Sequence, residues 1–142
     1  MAKNTGKKSE KIWEDKLAVY YGKMVFIYNI PDTGDIKGLM TAGFVKPAPA
    51  DYLVVCNGAT YFAEVKSCSS KASFSFSQFT PSQNAAMLRT VTANGQYWIF
   101  IHNLLTDTWY MVPAELVLFT KRAGKQSLKW SELENHKWKI CY

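Results

Sequence analysis

Residues Asp51–Lys66 read DYLVVCNGATYFAEVK, and the fold follows from this stretch. Asp51–Cys56 is apolar and β-branched, Thr60–Ser67 alternates, and Asn57-Gly58 lies between the two runs. Asn-Gly in that setting is the strongest short-range signal for a β-hairpin, because a type I′ turn needs positive φ at both central positions. A two-residue loop pairs Cys56 with Ala59, Val54 with Tyr61 and Asp51 with Glu64. Counted outward from the turn, Asp51 and Glu64 occupy a non-hydrogen-bonded pair, where side chains approach most closely. Period-two alternation sends Lys66 to the same face as Glu64. Two carboxylates held opposite each other repel, and a divalent cation removes that cost. A Glu-x-Lys alone is common on solvated hairpins. Here it adjoins a strand too apolar to be exposed on both faces, and the hairpin reads as a metal site.

A chain of 142 residues, 48% hydrophobic and 15% aromatic, suffices for one domain with a real core. The expected organisation is a single domain over 1–142, with a basic N-terminal arm at 1–8 and a basic C-terminal extension at 121–142. No apolar run approaches the roughly 20 residues of a membrane span. The N-terminal MAKNTGKKSEK lacks the apolar segment of a signal peptide. Cys56, Cys68 and Cys141 form neither a CxxC nor a zinc-like spacing, which suits free thiols in a reducing cytoplasm. The net charge of +6 is unevenly spread. Residues 1–23 hold six lysines against three acids, residues 121–139 hold six basic side chains against two acids, and the middle is slightly acidic. Basic flanks around an acidic pocket suit a polyanion whose backbone is gripped while a metal works on it. The same charge also serves as a solubilising surface.

Ser9–Gly22 reads as a first helix, with Ser9 as N-cap and Trp13, Leu17, Tyr20 and Tyr21 forming an apolar stripe. Glu10 lies about 35° from the centre of that stripe and Glu14 about 75°. Glu10 is therefore the carboxylate that points inward, although an acid in a first turn also suits the helix dipole. Lys23–Ile30 reads as a strand ending at the turn sequence Pro31-Asp32-Thr33-Gly34-Asp35, and Leu39–Ala50 as irregular. The Ser-rich stretch after Lys66 suits a loop or short strand over a cleft, with Lys71 facing phosphate, or a carrier of phenylalanines into the core. Thr80-Pro81-Ser82-Gln83 has the form of a capping box with proline at the first helical position, opening a helix to about Ala93. Gln96–His102 and Thr108–Val112 read as strands, Pro113–Leu118 as the start of a short helix, and Ser127–Asn135 as a modest helix. His102 and His136 stand apart from the carboxylates, and no Ser/His/Asp arrangement is evident.

Pro49-Ala50-Asp51, twelve intervening residues and Glu64-Val65-Lys66 resemble the motif of the PD-(D/E)xK nuclease superfamily. The extra Ala50 between Pro49 and Asp51 leaves the acidic residues undisturbed. The spacing from Gly6 to Glu10 is similar to that at the first helix of archaeal-type and phage Holliday junction resolvases. Phe79–Gln83 is similar to the position where such nucleases carry a glutamine. The resemblance covers residues 6–112, and the last thirty residues have no counterpart in it. It implies an α/β fold, a central mixed β-sheet flanked by helices in a restriction-endonuclease-like core.

The implied activity is Mg2+-dependent hydrolysis of phosphodiester bonds at four-way DNA junctions, with Mn2+ as a substitute. Asp51, Glu64 and the Val65 carbonyl would hold the metal. Glu10 would serve a second metal or orient a water, Lys66 would face the nucleophilic water or a phosphoryl oxygen, and Gln83 would position either. Lys7, Lys8, Lys11 and Lys71 would contact DNA phosphates. The implied partners are branched double-stranded DNA and a second copy of the chain, with no membrane. Trp98, Trp109 and Tyr110 are expected at the interface between copies. The implied setting is the cytoplasm or nucleoid of a bacterial or phage-infected cell. A nuclease of the same fold acting on flaps, forks or ends is the alternative, and a non-catalytic DNA-binding module is a second.

Overall fold

Asn57 and Gly58 adopt φ of 48° and 88°, the left-handed pair that a type I′ turn requires. Strand β2 (Tyr52–Cys56) pairs antiparallel with β3 (Ala59–Cys68) in the register set by loop length, Cys56 facing Ala59 and Tyr52 facing Ala63. Asp51 extends that register by one position, opposite Glu64. The computed structural model describes residues 5–31 and 47–140. The turn sequence read at 32–35, the irregular segment at 39–46 and Cys141 lie outside them.

Strand β1 (Val25–Asn29) pairs with β2 on its other side, and β5 (Tyr97–Asn103) and β6 (Thr108–Pro113) complete a sheet of order β1-β2-β3-β5-β6. The β3–β5 pair is parallel and the rest are antiparallel. A parallel pair needs a long crossover. Here the crossover contains β4 (Ser73–Ser75) and helix α2 (Pro81–Thr92). The architecture is the mixed sheet flanked by helices that the sequence leads one to expect.

Each sheet face carries its own core. On one face, α1 (Thr5–Tyr21) packs Trp13 and Leu17 against Tyr52, Val54, Tyr61 and Phe100. The Trp13 ring lies 4.6 Å from Tyr52 and 5.1 Å from Phe100. Burying Leu17 contributes about 1.5–3 kcal/mol relative to leaving it in water. On the opposite face, Met87 of α2 and Val117 of α3 (Ala114–Arg122) join Phe74, Phe79 and Leu128 over Ile99 and Ile101. Among the described residues no helix is long and apolar enough to cross a membrane.

Three expectations are corrected. Helix α1 already includes Thr5, so Ser9 is a helical residue and not a cap. The helix expected over 127–135 is a short strand, β7 (Ser127–Lys129), followed by 3-10 turns over Trp130–His136. Strand β7 pairs with β4, a partner distant in sequence that no local pattern in 127–135 announces. Beyond it, Trp138 N donates to the Trp109 carbonyl at 2.8 Å and Lys137 bridges Tyr110, so the tail lies along the β6 edge. Trp109 and Tyr110, expected at an interface between copies, are therefore buried in their own chain against Trp138 and Trp130. Exposed apolar side chains lie at the other edge instead. Phe26 and Tyr28 of β1 are 61% and 49% exposed, and Val55, opposite Phe26, is 39% exposed.

The turn offers a clean test of what sets the register. A Cβ at Gly58 would meet no heavy atom within 4 Å, so any penalty there is conformational. Gly58→Ala should cost about 1–2 kcal/mol in urea denaturation and leave the m-value unchanged.

Candidate active site

The first turns of α1 and α2, from opposite sheet faces, meet at the end of the sheet where Asp51 and Glu64 lie. They enclose a cavity of about 750 Å3 lined by Gly6, Glu10, Asp51, Glu64, Lys66 and Gln83, among others. Asp51 is held at both ends: its carbonyl accepts from Ile30 N, and its Oδ2 accepts from Val65 N, each at 2.9 Å. Glu64 is 2% exposed. Its Oε2 accepts from Gln83 Nε2 at 3.0 Å and lies 3.3 Å from Lys66 Nζ, while its Oε1 is buried with no donor in reach among the described residues. Burial above all, and then the charge of Asp51, push the Glu64 carboxyl up to about 8, with Lys66 opposing. The nearby Asp51 charge thus adds to burial in favouring the protonated Glu64 carboxyl.

Lys66 Nζ donates to the Gln78 carbonyl at 2.9 Å and to Gln83 Oε1 at 3.0 Å, and it sits 5.5 Å from the centroid of the Phe79 ring. Gln83 is also the third helical residue of α2 and closes its capping box. Its Oε1 accepts from Thr80 N at 3.0 Å, and its own N–H donates to Thr80 Oγ1 at 3.1 Å. One side chain therefore closes the helix start and links Glu64 to Lys66. The Gln78 carbonyl has no side-chain signature, and sequence reading missed it.

Glu10 lines the same cavity, and desolvation followed by the charge of Asp51 raises its pKa, with Lys7 opposing. The Tyr52 hydroxyl donates to Glu14 Oε2 at 2.7 Å and stands 3.3 Å from Glu10 Oε1. Glu14, passed over for Glu10 because it lies farther from the apolar stripe, takes the shorter bond, and Tyr52 was missed. Also missed was a chain in which Ser9 Oγ lies 2.9 Å from His102 Nδ1 and His102 Nε2 lies 2.7 Å from Asp107 Oδ1. Ser9 is 1% exposed, so this is no hydrolytic triad open to substrate. It fastens the turn of α1 that carries Glu10 to the end of β5, and the His102 ring stacks on Trp109 at 4.4 Å.

The donor set fits a small, hard divalent cation: the carboxyls of Asp51 and Glu64, the latter with one buried oxygen lacking a hydrogen-bond partner, and Val65 in the cavity wall. No cluster of three or more His, Cys, Asp or Glu side chains arranged to hold a metal occurs among the described residues. Ser67, Ser69 and Ser70 line the cavity, so the Ser-rich stretch borders the site. Lys7, Lys8 and Lys71 are exposed, whereas Lys11 is paired with Asp15 at 2.9 Å.

Comparison with known proteins bears on the family and the fold. The model of the family described as RecU, Recombination protein U, matches residues 7–142. That match includes the last thirty residues, which the motif resemblance had left without a counterpart. No curated protein matches the chain. A solved structure of Hjc from Archaeoglobus fulgidus, a Holliday junction resolvase, superposes with a TM-score of 0.54 at 14% identity, covering 89% of this chain and 90% of that one.

The Glu64 carboxyl predicts a pH dependence with a definite sign. Its folded-state pKa, about 8, lies above the ordinary 4.5, so the metal-free folded chain binds more protons than the unfolded chain between those values. Stability should be greatest below pH 4.5 as far as this group is concerned, fall as pH rises towards 8 and level off above it. Glu64→Gln should flatten that slope in denaturant titrations run across this range.

Proposed function

The chain belongs to the Recombination protein U family of Holliday junction resolvases, and from that premise we propose that the cavity between α1 and α2 is its nuclease site. The observation that carries the reading is the buried Glu64 beside half-buried Asp51, with Lys66 and Gln83 bonded to it. The substrate is branched double-stranded DNA, and the reaction is hydrolysis of one phosphodiester bond per site. Asp51, Glu64 and the Val65 carbonyl hold Mg2+, with Mn2+ able to replace it. When bound, the cation neutralises charge on the phosphoryl group and lowers the pKa of water.

The remaining work falls to side chains. Lys66 directs a proton at the phosphoryl oxygen on which charge accumulates, and its bonds to Gln78 and Gln83 fix where Nζ stands. Gln83 is bonded to both Glu64 and Lys66, so neither drifts when substrate enters. Glu10, raised in pKa and adjoining Asp51, orients the attacking water and takes its proton. Lys7, Lys8 and Lys71 hold neighbouring phosphates, and Lys11 joins them by exchanging Asp15 for DNA. The intact network argues against a purely DNA-binding module, which has no use for a buried acid beside a second one.

Cutting a four-way junction requires two symmetric incisions, and each copy of the chain supplies one constellation. A two-fold homodimer meets that requirement. We place its interface on the uncovered face of β1 and β2, where Phe26, Tyr28 and Val55 are exposed.

Asp51→Asn and Lys66→Ala should each abolish cleavage in Mg2+, while gel-shift affinity for four-way junctions stays equal or rises for Asp51→Asn. Wild-type cleavage by Asp51→Asn would show that the site is misassigned. Cutting linear duplex as fast as four-way DNA would favour the flap or fork nuclease.

Sedimentation should find twice the 16.1 kDa chain mass for the wild type. The double variant Phe26→Ser, Tyr28→Ser should sediment as a folded monomer.

A further inference from the structure

Glu10, Asp51 and Gln83 line two cavities, not one. The 750 Å3 cavity on one side contains Glu64, Lys66 and the serines 67, 69 and 70. On the other side lies a cavity of about 390 Å3, within the roughly 300–1,000 Å3 typical of sites for small ligands. The three shared residues form the wall between them.

The two cavities differ in lining, though both are polar. Lys66 and the three serines border the first, which suits phosphate. In the second, Ile30, Pro47 and Ala48 make one apolar wall beside Lys7, the amide of Asn29 and the hydroxyls of Thr80 and Ser82. Among the described residues neither Asn29 nor Ser82 has a side-chain hydrogen-bond partner. Asn29 is also firmly placed. It ends β1 opposite Tyr52, and the next residue, Ile30, is bonded through its N–H to the Asp51 carbonyl. An amide offers a donor and an acceptor side by side, the pattern that matches a base edge, and an apolar wall suits the face of a heterocycle.

We propose that the second cavity receives the base of the nucleotide adjoining the scissile phosphate, with Asn29 reading its edge and Ile30, Pro47 and Ala48 covering its face. This rests on the nuclease reading above and adds a specificity-determining residue to it. Asn29 contacts a base and not the reacting atoms. A base entering the cavity must leave its stack, which costs least where pairing is already interrupted, as at a branch point.

The test is single-turnover cleavage of four-way junctions that differ only in the base pair on each side of the cut. The wild type should discriminate among bases at one flanking position by about fivefold or more, and Asn29→Ala should bring all four within about twofold. Because Asn29 is exposed, its variant should melt as the wild type does. A variant that keeps the wild-type preference, or a wild type without one, overturns the subsite and leaves the resolvase reading intact. A wild type that cuts none of these junctions overturns both.

Discussion

Asp51 and Glu64 repel, and the rest of the site is arranged around that repulsion. Adjacent strands fix the two residues opposite each other, so neither can move away without breaking the β2–β3 register. The sheet and both helices then deprive Glu64 of water, leaving it 2% exposed. In such surroundings a second charge nearby is poorly screened, which favours the protonated form of Glu64. Lys66 offsets part of the cost from 3.3 Å away. A carboxyl placed where its charge is least stable is one that a hard cation would stabilise most.

Gln83 links the fold to this chemistry. Its backbone and side chain close the start of α2 through Thr80, while the same side chain spans Glu64 and Lys66. A helix start has donors to satisfy in any case, so the residue that caps α2 also ties the helix to the reacting groups. The Ser9–His102 contact acts similarly for α1, with a hydroxyl inside the helix in place of a cap. Each helix is thus pinned near its N-terminus, at the end facing the site.

How legible these features were in the sequence depended on how local their causes are. The Asn57-Gly58 turn, the 51/64 pairing and the capping box follow from neighbouring residues, and they could be read directly. Gln83 could be read as a cap from spacing alone, but its second role required a family resemblance. Ser9 looked like a cap because serine favours that position. Its actual partner, His102, is 93 residues away, and no periodicity reveals such a contact. The segment at 127–135 was misread for the same reason: its strand exists because β4 is there to pair with it. Trp109 and Tyr110 seemed too many aromatics for a small core only because the returning tail, with Trp138 and Trp130, was not foreseen.

The single parallel pair in the sheet has a consequence for the order of assembly. The β2–β3 hairpin closes over two residues, whereas β3 meets β5 only when Phe62 reaches Tyr97. Loop-closure entropy favours the hairpin first and the crossover later. While the hairpin stands alone, Asp51 and Glu64 face water and their repulsion is weak. It grows only as the crossover closes and α2 brings Gln83 into contact, so the chain meets its least favourable electrostatics last, when most of the core is already in place to hold them.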